Sequence, residues 1–142
     1  MKLFVFVLCL CLATGCAYSA FTEKQLNATK KLMRNTCQNK AKPTSEQIDA
    51  MHRGEFSDDR NAQCYLLCIM NTYKLLTKEN TFDWESGVKA LAANAPPSIG
   101  DPGIVSIKNC KDAVKTTSDK CVASTEIAKC IYNDNPSNYF LP

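Results

Sequence analysis

No stretch of the chain carries the apolar–polar alternation of a β-strand, and no segment repeats another, so sheet folds and repeat arrays are excluded. Cysteines and histidines in the CxxC or CxxH spacings of a zinc site are missing. His52 is the single histidine. Its neighbourhood, DAMHRGEF (49–56), has no glycine-rich calcium loop of the kind a secreted phospholipase needs beside its His-Asp pair. The lysines are scattered along the chain, which argues against nucleic acid as a partner. Beyond residue 12 no apolar run is long enough to cross a bilayer, so stable membrane insertion is not expected.

The first twenty residues have their own organisation. Met1-Lys2 is basic, Leu3 to Leu12 is continuously apolar, and Ala13 to Ala20 turns small and polar. This is the layout of a secretory signal and is too short for a membrane helix. Cleavage after Ser19 places Ala17 and Ser19 at the positions that require small residues. The expected division is therefore a signal peptide over 1–19 and one domain over 20–142. Cys9, Cys11 and Cys16 leave with the signal, and Cys37, Cys64, Cys68, Cys110, Cys121 and Cys130 remain. An even set of cysteines in a small exported chain predicts disulfides, which leaves no thiol for metal binding or nucleophilic catalysis. The 123-residue remainder has sixteen Lys and Arg against fourteen Asp and Glu, a net charge near +2.

The rest of the chain reads as about six helices and an all-α fold. FTEKQL (21–26) opens the first, with Thr22 and Gln25 as a capping box and Phe21 and Leu26 as a staple. Leu26, Thr29, Met33 and Cys37 continue it at helical spacing. PTSEQIDAMHRG (43–54) starts at Thr44 or Ser45 and stops at Gly54. SDDRNAQCYLLCIMNTYKLL (57–76) is the third helix, capped by Ser57 with Asp58 and Asp59 in its first turn. TFDWESGVKALAANAPP (81–97) is the fourth, ended by Pro96-Pro97. The fifth is expected to begin near Asp101-Pro102-Gly103 and to run through Ile107, Cys110 and Val114. The sixth spans roughly Asp119 to Tyr132, followed by a tail over 133–142.

Cysteine geometry then limits the crosslinks. Cys64 and Cys68, four apart on a helix, point to one face side by side and do not converge on each other. Cys121 and Cys130, nine apart, face opposite sides of the sixth helix with about 13 Å of rise between them. Excluding both bonds leaves ten of the fifteen pairings of six cysteines. The third helix is apolar on two faces: Leu66, Ile69, Met70, Tyr73 and Leu76 on one, Cys64, Leu67, Cys68 and Leu75 on the other. Such a helix lies either within a filled core or between a packed layer and a cavity.

The spacing Cys37-x26-Cys64-x3-Cys68-x41-Cys110-x10-Cys121-x8-Cys130 resembles that of the six-cysteine insect odorant-binding proteins, the pheromone-binding and general odorant-binding family. The x3 and x8 gaps are its most specific features, and the resemblance covers essentially all of residues 20–142. It implies the pairs Cys37–Cys68, Cys64–Cys121 and Cys110–Cys130, three interlocked disulfides around an apolar cavity. It also implies a non-enzymatic, secreted carrier of small hydrophobic molecules with no cofactor, metal or catalytic residues. The expected partners are an alcohol, ester, aldehyde or fatty-acid-like ligand and, on a membrane, an odorant receptor. The expected state is a monomer or weak homodimer in sensillar lymph or another body fluid. The alternative is an extracellular interaction or defence protein on the same scaffold with a filled core.

Face assignment gives a candidate cavity wall of Leu67, Met70, Tyr73, Leu76, Phe82, Trp84, Val88, Leu91, Ile107 and Val114. Tyr73 has a hydroxyl that can orient a ligand. The apolar end NYFLP (138–142) is expected to fold back over the cavity mouth, with Phe140 and Leu141 as a lid. His52 is read as a partly exposed helix residue whose protonation near pH 6 can act on a neighbouring loop. Asn27-Ala28-Thr29 is an N-glycosylation sequon, read as an unused surface triplet.

Overall fold

The structure is a computed structural model that describes residues 20–142; the expected signal peptide over 1–19, with Cys9, Cys11 and Cys16, lies outside the described residues. Six α-helices are present among the described residues: α1 (Glu23–Ala41), α2 (Ser45–Met51), α3 (Arg60–Thr72), α4 (Trp84–Asn94), α5 (Pro97–Asn109) and α6 (Lys120–Asp134). A 3₁₀ turn, Pro136–Asn138, starts the tail. Helix α3 packs on α6 and α1, and α4 packs on α5.

The caps explain where the helices begin. Thr22 and Gln25 form the reciprocal box at the head of α1, with the Gln25 N–H donating to Thr22 Oγ1 at 3.2 Å and the Thr22 N–H to Gln25 Oε1 at 2.9 Å. Thr44 and Gln47 repeat the device at α2. Helix α2 stops at Met51, and Gly54 forms a left-handed turn beyond it at φ 82°. A Cβ on Gly54 would lie 2.4 Å from the Tyr132 ring, so only glycine lets α6 approach this turn.

Both ends of α3 and both ends of α5 differ from the sequence reading. Helix α3 starts at Arg60 and is capped by Asp59, whose carboxylate accepts from the N–H groups of Asn61 and Ala62. Ser57 instead accepts from the Asp59 N–H at 3.0 Å. A carboxylate that satisfies two orphan donors outcompetes a hydroxyl two residues earlier. Helix α3 also ends at Thr72. Lys74 turns left-handed at φ 56°, and Leu76 pairs with Phe82 in an isolated antiparallel bridge. Helix α5 begins at Pro97, with Pro102 inside it. The second proline of Pro96-Pro97 opens a helix because its first turn needs no N–H from that position. Helix α5 finishes at Asn109, which leaves Val114 on the loop to α6.

Three disulfides cross the helices: Cys37–Cys68 (α1 to α3), Cys64–Cys121 (α3 to α6) and Cys110–Cys130 (the end of α5 to α6). These are the pairs that the resemblance implies. Cys64 precedes Cys68 and Cys110 precedes Cys121, so each closed loop overlaps the next along the chain. The core lies where α3 meets α6, around Tyr65, Leu66, Ile69, Ile127 and Ile131. Leu141 of the tail is buried in it, and the Tyr65 hydroxyl donates to the Pro142 carbonyl at 2.7 Å. No described helix is long and apolar enough to cross a membrane.

Candidate ligand cavity

Beside this core the helices leave a cavity of about 480 Å³. Leu26, Thr29 and Lys30 of α1 form one side, and Tyr73 and Leu75 from the end of α3 form another. Helix α4 contributes Leu91, α5 contributes Ile99 and Ile107, and the tail contributes Tyr139 and Phe140. The volume lies within the range of small-ligand pockets. Close packing of α4, α5 and the tail shapes one wall: a Cβ on Gly103 would lie 2.9 Å from Leu91 Cδ1 and 3.4 Å from the Phe140 ring. A side chain there would drive both wall residues inward.

Of the wall candidates read from the sequence, Tyr73, Leu91, Ile107 and Phe140 line this cavity. The others do not, and packing accounts for each. Met70 is buried in the core, because α3 turns that face toward α6. Leu67 is half-buried outside the cavity wall. Leu76 and Phe82 are taken up by the bridge, which exists because α3 stops early. Trp84 and Val88 pack from α4 onto the core, and Val114 does so from the loop after α5. Leu141 points into the core while its neighbour Phe140 meets the cavity, so the two expected lid residues are divided between anchor and wall. Asn27 is exposed on α1.

Several wall residues were absent from the sequence list. Leu26 reads from the sequence as the partner of Phe21 in the staple of α1. Ile99 was hidden by the misplaced start of α5. Lys30 carries a charge, so it gives no apolar signal that would place it on a cavity wall. Tyr139, beside Phe140 in the apolar tail, carried a legible signal: a large amphipathic ring in a segment already expected to fold back.

The polar groups of the wall are few, and most are satisfied. Thr29 Oγ1 donates to the Gln25 carbonyl at 3.0 Å, Asn94 Nδ2 to the Ala90 carbonyl at 2.9 Å, and Ser98 Oγ to Glu23 Oε1 at 3.1 Å. Tyr139 is different, since its hydroxyl is buried and has no hydrogen-bond partner among the described residues. Its ring is held edge-on by His52, Tyr132 and Phe56, with centroids 5.3, 5.6 and 6.2 Å away. Burial pushes the Tyr139 phenol far above its usual range, and the nearby Tyr65 adds to this. Burial also raises the Tyr73 phenol and lowers the Lys30 ammonium.

Six helices, overlapping crosslinks and an apolar cavity closed on one side by a folded-back tail define a stapled helical shell with a hollow interior. Residues 19–134 match the model of the PBP/GOBP family, and the chain belongs to that family of odorant-binding proteins. The crystal structure of odorant binding protein 4 from Chrysopa pallens is 38% identical and superposes with a TM-score of 0.78, covering 86% of this chain and 99% of that one. Odorant binding protein 5 of Apis mellifera is 32% identical with a TM-score of 0.78, over 87% of this chain and 100% of that one. General odorant-binding protein 72 of Anopheles gambiae is 28% identical over 121 residues, 85% of this chain and 99% of that protein.

Proposed function

We propose that the protein is a secreted carrier that takes up small hydrophobic molecules in the cavity between α1, α4, α5 and the tail and moves them through extracellular fluid. The single observation that carries this reading is the 480 Å³ apolar space left inside a crosslinked shell. A filled core, as an interaction or defence protein on this scaffold would have, leaves no such space. The family relatives, named for binding odorants, point the same way. Residues 1–19 act as the export signal, and the exposed Asn27 is the one surface sequon available for glycosylation.

Binding is driven by removing ligand carbon surface from water, at about 25 cal/mol per Å². A ligand that buries about 300 Å² gains roughly 7 kcal/mol before ordering costs, which sets a micromolar scale of affinity and ready release. Titration with a neutral environment-sensitive fluorophore tests the reading. The expected result is saturable binding near one to one, with displacement by medium-chain alcohols and esters. Absence of saturable binding would reject the carrier in favour of the filled-core alternative.

A further inference from the structure

Gly103 is buried in the middle of α5. Its backbone is ordinary helix, and among the described glycines Gly54 alone has a positive φ. No backbone conformation therefore requires glycine at 103, and alanine there would be the better helix former. The demand is for space. A Cβ on Gly103 would meet Leu91 Cδ1 at 2.9 Å and two atoms of the Phe140 ring at 3.4 Å. Carbon atoms in contact sit about 3.5–4.0 Å apart, so the added methyl group has to push. Its neighbours differ in how far they can yield. Helix α5 is tied to α6 just beyond this point by Cys110–Cys130 and by Ser106 and Asn109, which donate to the Asp134 carboxylate at 2.7 and 2.8 Å. Phe140 is flanked by Leu141 in the core and by Tyr139 within its aromatic cluster. The shift falls mainly on the end of the Leu91 side chain, and the free volume beside it is the cavity.

We infer that Gly103 is a positioning residue that sets the width of the cavity at Leu91, and that this width lets the cavity take compact ring systems as well as straight chains. The inference rests on the carrier reading above and names the shape of its ligand. A straight apolar chain is narrow and rotates about its bonds, so it can follow a wall that has stepped inward. A rigid cage of the same carbon number is broad in every direction and cannot adapt, so the same step costs it more. Gly100 supplies the comparison. It lies on α5 one turn before Gly103 and is also buried. A Cβ there would make ordinary contacts, 3.4 Å from Ala95 Cβ and 3.5 Å from the Leu91 carbonyl oxygen. The two glycines share a helix, burial and the backbone effect of substitution. They differ in whether a methyl group would displace the Leu91 side chain.

Competition for the bound fluorophore by 1-adamantanol and 1-decanol, a cage and a chain of equal carbon number, tests this in the exported chain, residues 20–142 with its disulfides formed. Both should compete in the unaltered protein. Gly103→Ala should weaken 1-adamantanol by about tenfold and leave 1-decanol within about threefold. Gly100→Ala should leave the ratio of the two affinities within about twofold of its original value. In a Leu91→Ala background the clashing atom is gone, so adding Gly103→Ala should move the ratio by no more than about twofold. Failure of 1-adamantanol to compete, an unchanged ratio in Gly103→Ala, or an equal shift in Gly100→Ala would overturn the assignment while fluorophore binding still upheld the carrier. So would a full shift in the Leu91→Ala background. If the fluorophore itself does not bind, the carrier reading falls and takes this inference with it. Circular dichroism separates lost recognition from lost folding: a Gly103→Ala chain that folds only beside Leu91→Ala upholds the contact, and one that folds in neither background overturns it.

Discussion

At the residue scale, His52 joins the outer surface to the cavity wall. It caps the C-terminus of α2 and packs edge-on against Tyr139. Its pKa is lowered, first by burial and then by the positive charges of Lys30 and Arg34, with Asp49 opposing them. A basic group with a depressed folded pKa is protonated more readily in the unfolded chain. Stability is therefore full above about pH 6.5, the unfolded value, and falls as the pH drops below it. The effect is modest, because much of the ring reaches solvent. Denaturant midpoints measured between pH 7 and 5 should decline, and His52→Gln should flatten part of that slope. Parallel slopes in the two proteins would assign the acid sensitivity elsewhere. The residue type, its solitude and its partial exposure were legible in the sequence. Its contact with Tyr139 was not, because 87 residues of chain separate the two.

At the scale of elements, the tail divides its work between two neighbouring side chains. Phe140 faces the cavity and Leu141 enters the core. Phe140→Ala should weaken fluorophore binding several-fold with little change in denaturant midpoint. Leu141→Ala should lower stability by about 2–4 kcal/mol, the usual cost of emptying a buried leucine site. Reversal of this pattern in paired binding and unfolding titrations would reassign wall and anchor. Helix content, the capping box of α1 and the apolar character of the tail were readable, because they depend on residues within a few positions of one another. The early end of α3 and the early start of α5 were not. Both turn on competition between nearby signals, Lys74 against helix continuation and Pro97 as opener against stop, and local propensity does not rank them.

For the whole molecule the crosslinks set the stability. The three bonds span sequence separations of 31, 57 and 20 residues. In the chain-entropy account each loop contributes about 3–4 kcal/mol, and the 57-residue loop exceeds the 20-residue loop by about 0.9 kcal/mol. Replacing Cys64 and Cys121 together by Ser should therefore lower the unfolding free energy more than replacing Cys110 and Cys130. Chemical denaturation of both double variants checks the order. The sequence by itself determined the helical class, the even cysteine set and the two bonds that cannot form, since all follow from spacing along a helix of known pitch. Tertiary structure alone decided which apolar side chains line the cavity and which fill the core. Met70 and Leu91 are both apolar residues on helices, and hydrophobicity does not distinguish a wall from a packed layer. The difference arises only when α3 presses on α6 while α1, α4, α5 and the tail enclose the space beside them.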